Sequence, residues 1–281
     1  MEGSLVMRFG CHISIKNGYL AAAKAAVSLG TKAFQYFPKN PRSLRIKKFD
    51  HEDAERCAVF CRKHGMVSIA HAPYPTNLSA SDGKLSAVMA SAINDLEIAE
   101  ACGSIGVVIH FGTYKGAHLL TGYERMIHAL NEILKDWKGN SLILIENNAG
   151  KSGQLGTTLE ELVKVRELTN HPHKIGFCFD TCHAFAAGLW NGKNWEDVVD
   201  RGRRLDYFNH LKVIHLNNSR YPAGSKRDRH ANLRHGEIAV TALKTLITSP
   251  IVRDIPLILE TPAINQSHDS EFHDLMVWGG S

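Results

Sequence analysis

Ile175-Gly-Phe-Cys-Phe-Asp180-Thr-Cys-His183-Ala-Phe-Ala-Ala-Gly188 is the stretch on which the reading of this 281-residue chain turns. Five strand-like residues, mostly apolar and aromatic, run into Asp180, and His183 follows three positions later in a small-residue segment that stops at Gly188. A continuous apolar run marks a strand buried on both faces, as in a parallel sheet. An Asp at its tip with a His on the next turn brings an oxygen donor and a nitrogen donor into one pocket. Asp in that place is also a common helix N-cap, so one strand leaves capping and chemistry both open. The rest of the chain repeats the arrangement.

Working outward, strands are expected over 7–13, 31–37, 66–71, 105–110, 141–146, 174–180, 211–215 and 256–260. Helices are expected between them: 18–29 stopped by Gly30, Asp50 to His64 with Gly65 behind it, Ser81 or Asp82 to Cys102, and 121–137. Three more follow: one opened by a capping box at Thr157–Glu160, one over 194 to about 205, and one over 238–247. Eight strands alternating with helices, with no compositional break, predict an α/β chain that is a single-domain (β/α)8 TIM barrel over 1–281. An open doubly wound sheet is the alternative.

The eight strand ends are His12, Tyr36, His71, His110, Glu146, Asp180, His215 and Glu260. From His71 onward they are spaced 39, 36, 34, 35 and 45 residues apart, the length of one strand–helix unit, and each is a metal-type donor. The C-terminal ends of barrel strands converge on the active site, so these six point into one bowl. Three imidazoles and three carboxylates buried together need cations. Nitrogen and oxygen donors without thiolate suit zinc, manganese or iron better than magnesium. Six donors are too many for one tetrahedral ion, which calls for two or more ions bridged by a carboxylate. Glu146, in the middle of the series, is the bridge by position.

A second constellation lies in 219–236, where Asp228 and His230 alternate with Arg227 and Arg229. In an extended segment the donors face one way and the cations the other, so one face can ligate metal while the other meets phosphate. With His183, this pair supplies a further donor set, enough for a third ion.

Composition bounds the rest. With 44% hydrophobic and 22% charged residues the chain is globular, and no apolar run approaches the roughly 20 residues needed to span a bilayer. The start, Met1 to Val6, lacks a basic region followed by an apolar one. The expectation is an intracellular, soluble protein with no membrane partner; nuclear, cytoplasmic and virion locations stay open. Six cysteines fall within expected strands and helices with no Cys-x-x-Cys pair, as buried thiols do in a reducing compartment. Cys57 and Cys61 share a helix face, and Cys11 reads as a packed small residue. A net charge of +5 says little about nucleic acid. Sixteen histidines are more than a surface usually supplies, although His51, His64, His171 and His173 read as solvated.

The runs Ile175 to Gly188, Val213-Ile-His215-Leu-Asn217, Asp228-Arg-His230, Ile109-His110-Phe-Gly112 and Pro256-Leu-Ile-Leu-Glu260-Thr together resemble the endonuclease IV family of apurinic/apyrimidinic (AP) DNA endonucleases, within the xylose isomerase-like TIM barrels. The similarity runs from Gly10 to Glu260. It implies three zinc ions, with Mn2+ or Fe2+ able to substitute: one on His71, His110 and Glu146, a second on Glu146, Asp180, His215 and Glu260, a third on His183, Asp228 and His230. Such ions lower the pKa of water from 15.7 towards about 7, so no side-chain nucleophile is needed.

The implied reaction is hydrolysis 5′ to an abasic site in double-stranded DNA by a monomer, leaving a 3′-hydroxyl and a 5′-deoxyribose phosphate, with trimming of blocked 3′ ends. Glu146 would position the attacking group. Arg42 and Tyr74 match the family's Arg and Tyr that enter the minor groove and help to extrude the abasic nucleotide, a step that costs least where the base is missing. Lys16, Lys39, Lys151, Arg227 and Arg229 are the expected phosphate contacts.

Three positions depart from the family pattern. Asn218 stands where Asp is common, Pro75 follows Tyr74 where an apolar wedge is usual, and Arg234-His235 replaces a smaller, Gly-containing segment. The competing reading is a metal-dependent sugar isomerase or epimerase of the same barrel type. From another class, a non-catalytic DNA-binding barrel would require a lost ligand, and every ligand position is filled.

Overall fold

In the computed structural model, which describes residues 7–151, 153–263 and 267–279, the apolar runs form one parallel sheet rolled into a barrel. Its strands are β1 (Phe9–Cys11), β2 (Ala33–Tyr36), β3 (Val67–His71), β4 (Gly106–His110), β5 (Leu142–Glu146), β6 (Ile175–Asp180), β7 (Leu211–His215) and, last in the chain, β10 (Leu257–Leu259). A two-stranded antiparallel ribbon, β8 (Asn218–Ser219) with β9 (His230–Ala231), stands outside it. The sheet order β1-β10-β7-β6-β5-β4-β3-β2 closes where His12 bridges Gln35 and the Ile13 N–H donates to the Gln35 carbonyl at 2.7 Å. Closure depends on Gly10, because a Cβ there would lie 1.7 Å from the Ala33 carbonyl oxygen.

Helices α1 (Tyr19–Ser28), α2 (His51–His64), α3 (Asp82–Ala101), α4 (Leu119–Leu134), α5 (Leu159–Leu168), α7 (Trp195–Arg204) and α9 (Val240–Thr248) follow the expected alternation. Asp50 caps α2 through the Asp53 N–H at 3.0 Å, and Gly65 closes it at φ 61°. Boundaries move by one to three residues: α4 spans Leu119–Leu134 rather than 121–137, α9 begins at Val240 rather than 238, and the capping box of α5 is Thr158 with Glu161, one residue later than expected. The helices α6 (Thr181–Ala187), α8 (Tyr207–His210) and α10 (Asp269–Gly279) and the β8–β9 ribbon are additions to the expected list. None of the described helices is long and apolar enough to cross a membrane. The secretory-signal reading rests on Met1 to Val6, outside the described residues, while all six cysteines are free and buried.

The interior of the barrel is filled by Ala33, Ile69, Val108, Leu144, Cys178, Val213 and Ile258, one from each strand except β1. Side chains on one face of a strand recur every second residue. Two positions beyond these seven stand Gln35, His71, His110, Glu146, Asp180, His215 and Glu260. The apolar plug is therefore the floor on which a ring of polar side chains rests, at the C-terminal mouth where such barrels place their chemistry.

Candidate metal and nucleic-acid site

At the mouth the expected ligands meet in three groups: His71, His110 and Glu146; Glu146, Asp180, His215 and Glu260; and His183, Asp228 and His230. Within each group the ligand atoms lie within 4.8 Å of one another. Glu146 belongs to the first two, as its place in the series predicts.

The separations are informative. Glu146 Oε2 is 3.6 Å from both His71 Nε2 and His110 Nδ1; His215 Nδ1 is 3.2 Å from Glu260 Oε2. Asp228 lies 3.3 Å from His183 Nε2 and 3.5 Å from His230 Nε2. Most of these are longer than good hydrogen bonds. Two ligands held about 2.0–2.2 Å from one tetrahedral ion stand roughly 3.3–3.6 Å apart, so the pairs have the edges of coordination shells. Glu146 Oε2 and His230 Nε2 are moreover buried without a hydrogen-bond partner, an arrangement costly unless a cation meets them. The donors present fit divalent ions.

Hydrogen bonds behind the ligands fix which lone pairs face the centre. A backbone carbonyl only accepts, so a ring nitrogen beside one carries its proton there. His71 Nδ1 donates to the Ala72 carbonyl at 2.8 Å, His183 Nδ1 to that of Asn147 at 2.9 Å, and His230 Nδ1 to that of Glu260 at 3.4 Å. In all three, Nε2 is left for an ion. Asp180 caps α6 by accepting from the His183 N–H at 2.6 Å, which explains why Asp at the end of β6 is followed by a usable His one turn on. Its other oxygen accepts from Asn217 Nδ2 at 2.7 Å, while Asn147 accepts from the Asp180 N–H at 2.8 Å.

The charges respond to one another. Burial pushes the Glu146 carboxyl up, but the imidazoles of His110 and His215 outweigh it and hold the group well below the usual carboxylate range. Burial disfavours a charged His183, yet the carboxylates of Asp180 and Asp228 raise it well above an ordinary imidazole. Cys178 and Cys182 come close to the second and third groups. Burial pushes the Cys178 thiol up to about 12 and raises that of Cys182 as well.

Above the ligands, a cavity of about 350 Å3 is lined by His12, Phe37, Tyr74, His110 and Asp228 among others. Tyr74 sits on its rim at 64% exposure with its ring against Phe37, centroids 5.1 Å apart. Arg42 is exposed on the neighbouring loop, and the two loops are tied where the Tyr74 N–H donates to the Pro41 carbonyl at 2.8 Å. Pro75 lies in a turn closed by the Thr76 N–H on the Pro73 carbonyl at 2.9 Å, which holds Tyr74 outward. A second cavity, about 710 Å3, opens beside Asp228 and is lined by Lys151, Lys226, Arg227 and Arg229 with Tyr221; the Arg227 guanidinium lies 4.7 Å from the Tyr221 ring centroid. Lys16 is exposed.

Lys39 is a correction. Expected on DNA phosphate, it is buried at 4% exposure, where Nζ pairs with Asp95 Oδ1 at 2.9 Å and donates to the Ser91 carbonyl at 2.6 Å. Its charge is used inward, pinning the Arg42 loop to α3. Arg234 is likewise engaged, its Nε and Nη2 donating to Asp274 at 2.6 Å each, which ties the loop after β9 to α10. Asn218 does not stand in for an absent carboxylate: its Nδ2 donates to the Leu233 and Ile238 carbonyls at 2.8 and 2.9 Å, a task a carboxylate cannot perform.

One residue of the ring escaped the sequence reading. Tyr36, taken as the end of the second strand, faces outward and contacts Ser104 Oγ at 2.9 Å. Gln35 faces the bowl in its place, and counting two residues on from the small apolar Ala33 finds it.

Residues 23–275 match the family described as the xylose isomerase-like TIM barrel. A protein of Symbiobacterium thermophilum named "Probable endonuclease 4" is 45% identical over 262 residues, covering 93% of this chain and 95% of that one. Its counterpart in Akkermansia muciniphila is 32% identical over the same shares of the two chains. The chain belongs to the endonuclease IV family. Among solved structures, endonuclease IV from Thermus thermophilus superposes with a TM-score of 0.87 at 32% identity, over 96% of this chain and 98% of that one. A D-tagatose 3-epimerase-like protein shares the fold, with a TM-score of 0.70 at 17% identity.

Proposed function

We infer that this chain is a metal-dependent AP endonuclease of DNA repair, cutting the phosphodiester bond 5′ to an abasic site in double-stranded DNA to leave a 3′-hydroxyl and a 5′-deoxyribose phosphate, and trimming blocked 3′ ends. The observation that carries the reading is three donor groups with the edges of coordination shells, set beside a groove lined by lysine and arginine. Three zinc ions fit them, with manganese or iron as substitutes, and the chain acts as a monomer. Bound ions would lower the pKa of water and neutralise charge on the phosphate.

The protein's own groups do the rest. Four carboxylates serve the nine ligand positions, so three divalent ions leave the centre with two positive charges, enough to attract a phosphodiester. Glu146, held as a carboxylate between two donor groups, orients the attacking group towards phosphorus. Lys151, Arg227 and Arg229 contact the backbone on one side of the cut, and Lys16 does so elsewhere on the rim. Arg42 and Tyr74 enter the minor groove and select the site where extruding a nucleotide costs least. The buried, unpaired cysteines support an intracellular location.

The test is nicking of a duplex with a single abasic site, run with elemental analysis of the same material and across a salt series. Cleavage with about three ions per chain, and binding that weakens steeply as salt rises, is the expected result. A protein that leaves the duplex intact and epimerises a sugar at a rate indifferent to salt would replace this reading with its competitor. Tyr74→Ala should weaken binding to abasic duplex more than to intact duplex; equal losses in a titration of both would reduce Tyr74 to packing.

A further inference from the structure

Gln35 is fully buried on β2 and belongs to the polar ring, yet it is not among the nine ligands. Its Nε2 donates to Glu260 Oε1 at 2.7 Å, and its Oε1 accepts from His215 Nε2 at 2.8 Å. The amide has only one sensible orientation, because a carboxylate cannot donate and so takes the NH2 end. The carbonyl end therefore faces His215, and only an N–H can stand opposite it. A proton of the His215 ring is thereby placed on Nε2, which makes Nδ1 the nitrogen that would meet an ion. That atom points into the second group, 2.9 Å from Glu146 Oε1, 3.2 Å from Glu260 Oε2 and 4.0 Å from Asp180 Oδ2. The same amide engages one oxygen of Glu260 and leaves Oε2 for the group.

His215 differs in this from three of the other four histidine ligands. His71, His183 and His230 turn Nδ1 to a backbone carbonyl and present Nε2. His215 is reversed, and the group that fixes it is a side chain 180 positions away in sequence. A backbone carbonyl survives any substitution; this device does not.

We propose that Gln35 is a positioning residue of the Glu146–Asp180–His215–Glu260 group, holding a proton on His215 Nε2 and engaging Glu260 Oε1 so that His215 Nδ1 and Glu260 Oε2 aim at one ion. This rests on the reading that the group holds a divalent cation. Partners behind a ligating His typically change metal affinity about 10–100-fold when removed. The glutamine ties β2, whose strand end supplies no ligand, into the metal centre and links it to β7 and β10.

The test compares the zinc-loaded wild type with Gln35→Leu and Gln35→Glu at one fixed pH. Ions per chain are counted after dialysis against a graded chelator, and the histidine ring nitrogens are observed by two-bond 1H–15N correlation. In the wild type His215 should show a protonated Nε2. Gln35→Leu should release one ion at a chelator strength about 10–100-fold lower while the others stay, and the His215 pattern should lose its fixed tautomer. Gln35→Glu keeps an acceptor against His215, so the tautomer should return. Unchanged ion retention together with an unchanged His215 pattern in Gln35→Leu would overturn the proposal. Should the leucine variant fail to fold, Gln35→Glu decides: a retained Nε2 proton supports it, and loss of that proton overturns it. A wild type that takes up no ion would strike the metal reading itself, an outcome visible before any variant is compared.

Discussion

Glu146 shows how much one side chain carries at this site. It is shared by two donor groups, one of its oxygens has no hydrogen-bond partner, and four imidazoles lie within 3.6 Å of its carboxylate. Glu146→Gln keeps the volume and removes the charge. Nicking of abasic duplex should fall by at least about 100-fold, the scale for losing one preorganised charge-stabilising group, while gel-shift affinity for the same duplex persists, because the contacts proposed for Arg42 and Tyr74 are untouched. Cleavage at the wild-type rate would remove Glu146 from the mechanism. Lys39 bears on stability instead. Losing one partner of a buried pair costs about 3–5 kcal/mol, because the other charge is left uncompensated, so Lys39→Met should be destabilised by that order. Burial pushes the Asp95 carboxyl up to about 7 even with Lys39 beside it. A carboxyl raised on folding favours the folded state at low pH and penalises it as pH climbs through the raised value. The deficit of Lys39→Met should therefore be larger at pH 8 than at pH 6 in denaturant melts; an equal deficit would mean that Asp95 is not the group left exposed to the loss.

At the level of elements, the β8–β9 ribbon was hidden in sequence because its strands are two residues each and lie in a polar stretch, 219–236, without apolar alternation. What builds it is Asn218, whose amide spans the ribbon base and whose Oδ1 accepts from the Ser219 and Ile238 N–H groups at 2.7 and 2.8 Å. Asn218→Asp replaces two donations with carboxylate facing carbonyl oxygen in a fully buried place. Leaving buried polar groups unpaired costs about 1–3 kcal/mol each. The barrel is untouched, so the loss should fall on the ribbon: faster hydrogen exchange over 219–238, and easier release of the ion held by His183, Asp228 and His230. A variant that exchanges there as slowly as the wild type would show that the ribbon is held by something else. α10 escaped the sequence reading for a different reason. Its apolar positions in the core are few, Phe272, Leu275 and Trp278, and they are interleaved with polar ties that no period announces: Glu271 accepts from the Leu233 N–H at 3.0 Å and Thr261 Oγ1 at 2.7 Å, and Asp274 pairs with Arg234.

For the whole molecule, the legible part was the part with a period. Strand ends recur at the length of a repeating unit, and a two-residue alternation within each strand carries the plug and the ring. Both are set by backbone geometry, so six of the strand-end donors could be named without coordinates. Contacts made by a side chain's choice of direction have no such period. Lys39 looks like any loop lysine until α3 is seen beneath it, and Gln35 looks like ordinary strand until His215 is seen across the barrel. The same division separates fold from metal. The plug and the helix-covered outer core are apolar and complete by themselves, whereas the mouth gathers five imidazoles and four carboxylates and leaves Glu146 Oε2 and His230 Nε2 buried without a partner. Ions that bind only the folded chain stabilise it by RT ln(1 + [L]/Kd), about 4.1 kcal/mol for one site at a thousand times Kd. For a chain of this size each kcal/mol moves the midpoint by about 2–4 °C. Chelated protein should therefore keep its far-ultraviolet circular dichroism yet melt at least several degrees lower, and adding zinc back should restore the midpoint. Identical melting curves with and without chelator would mean that the mouth is balanced by its own hydrogen bonds, and the metal centre would lose its thermodynamic basis.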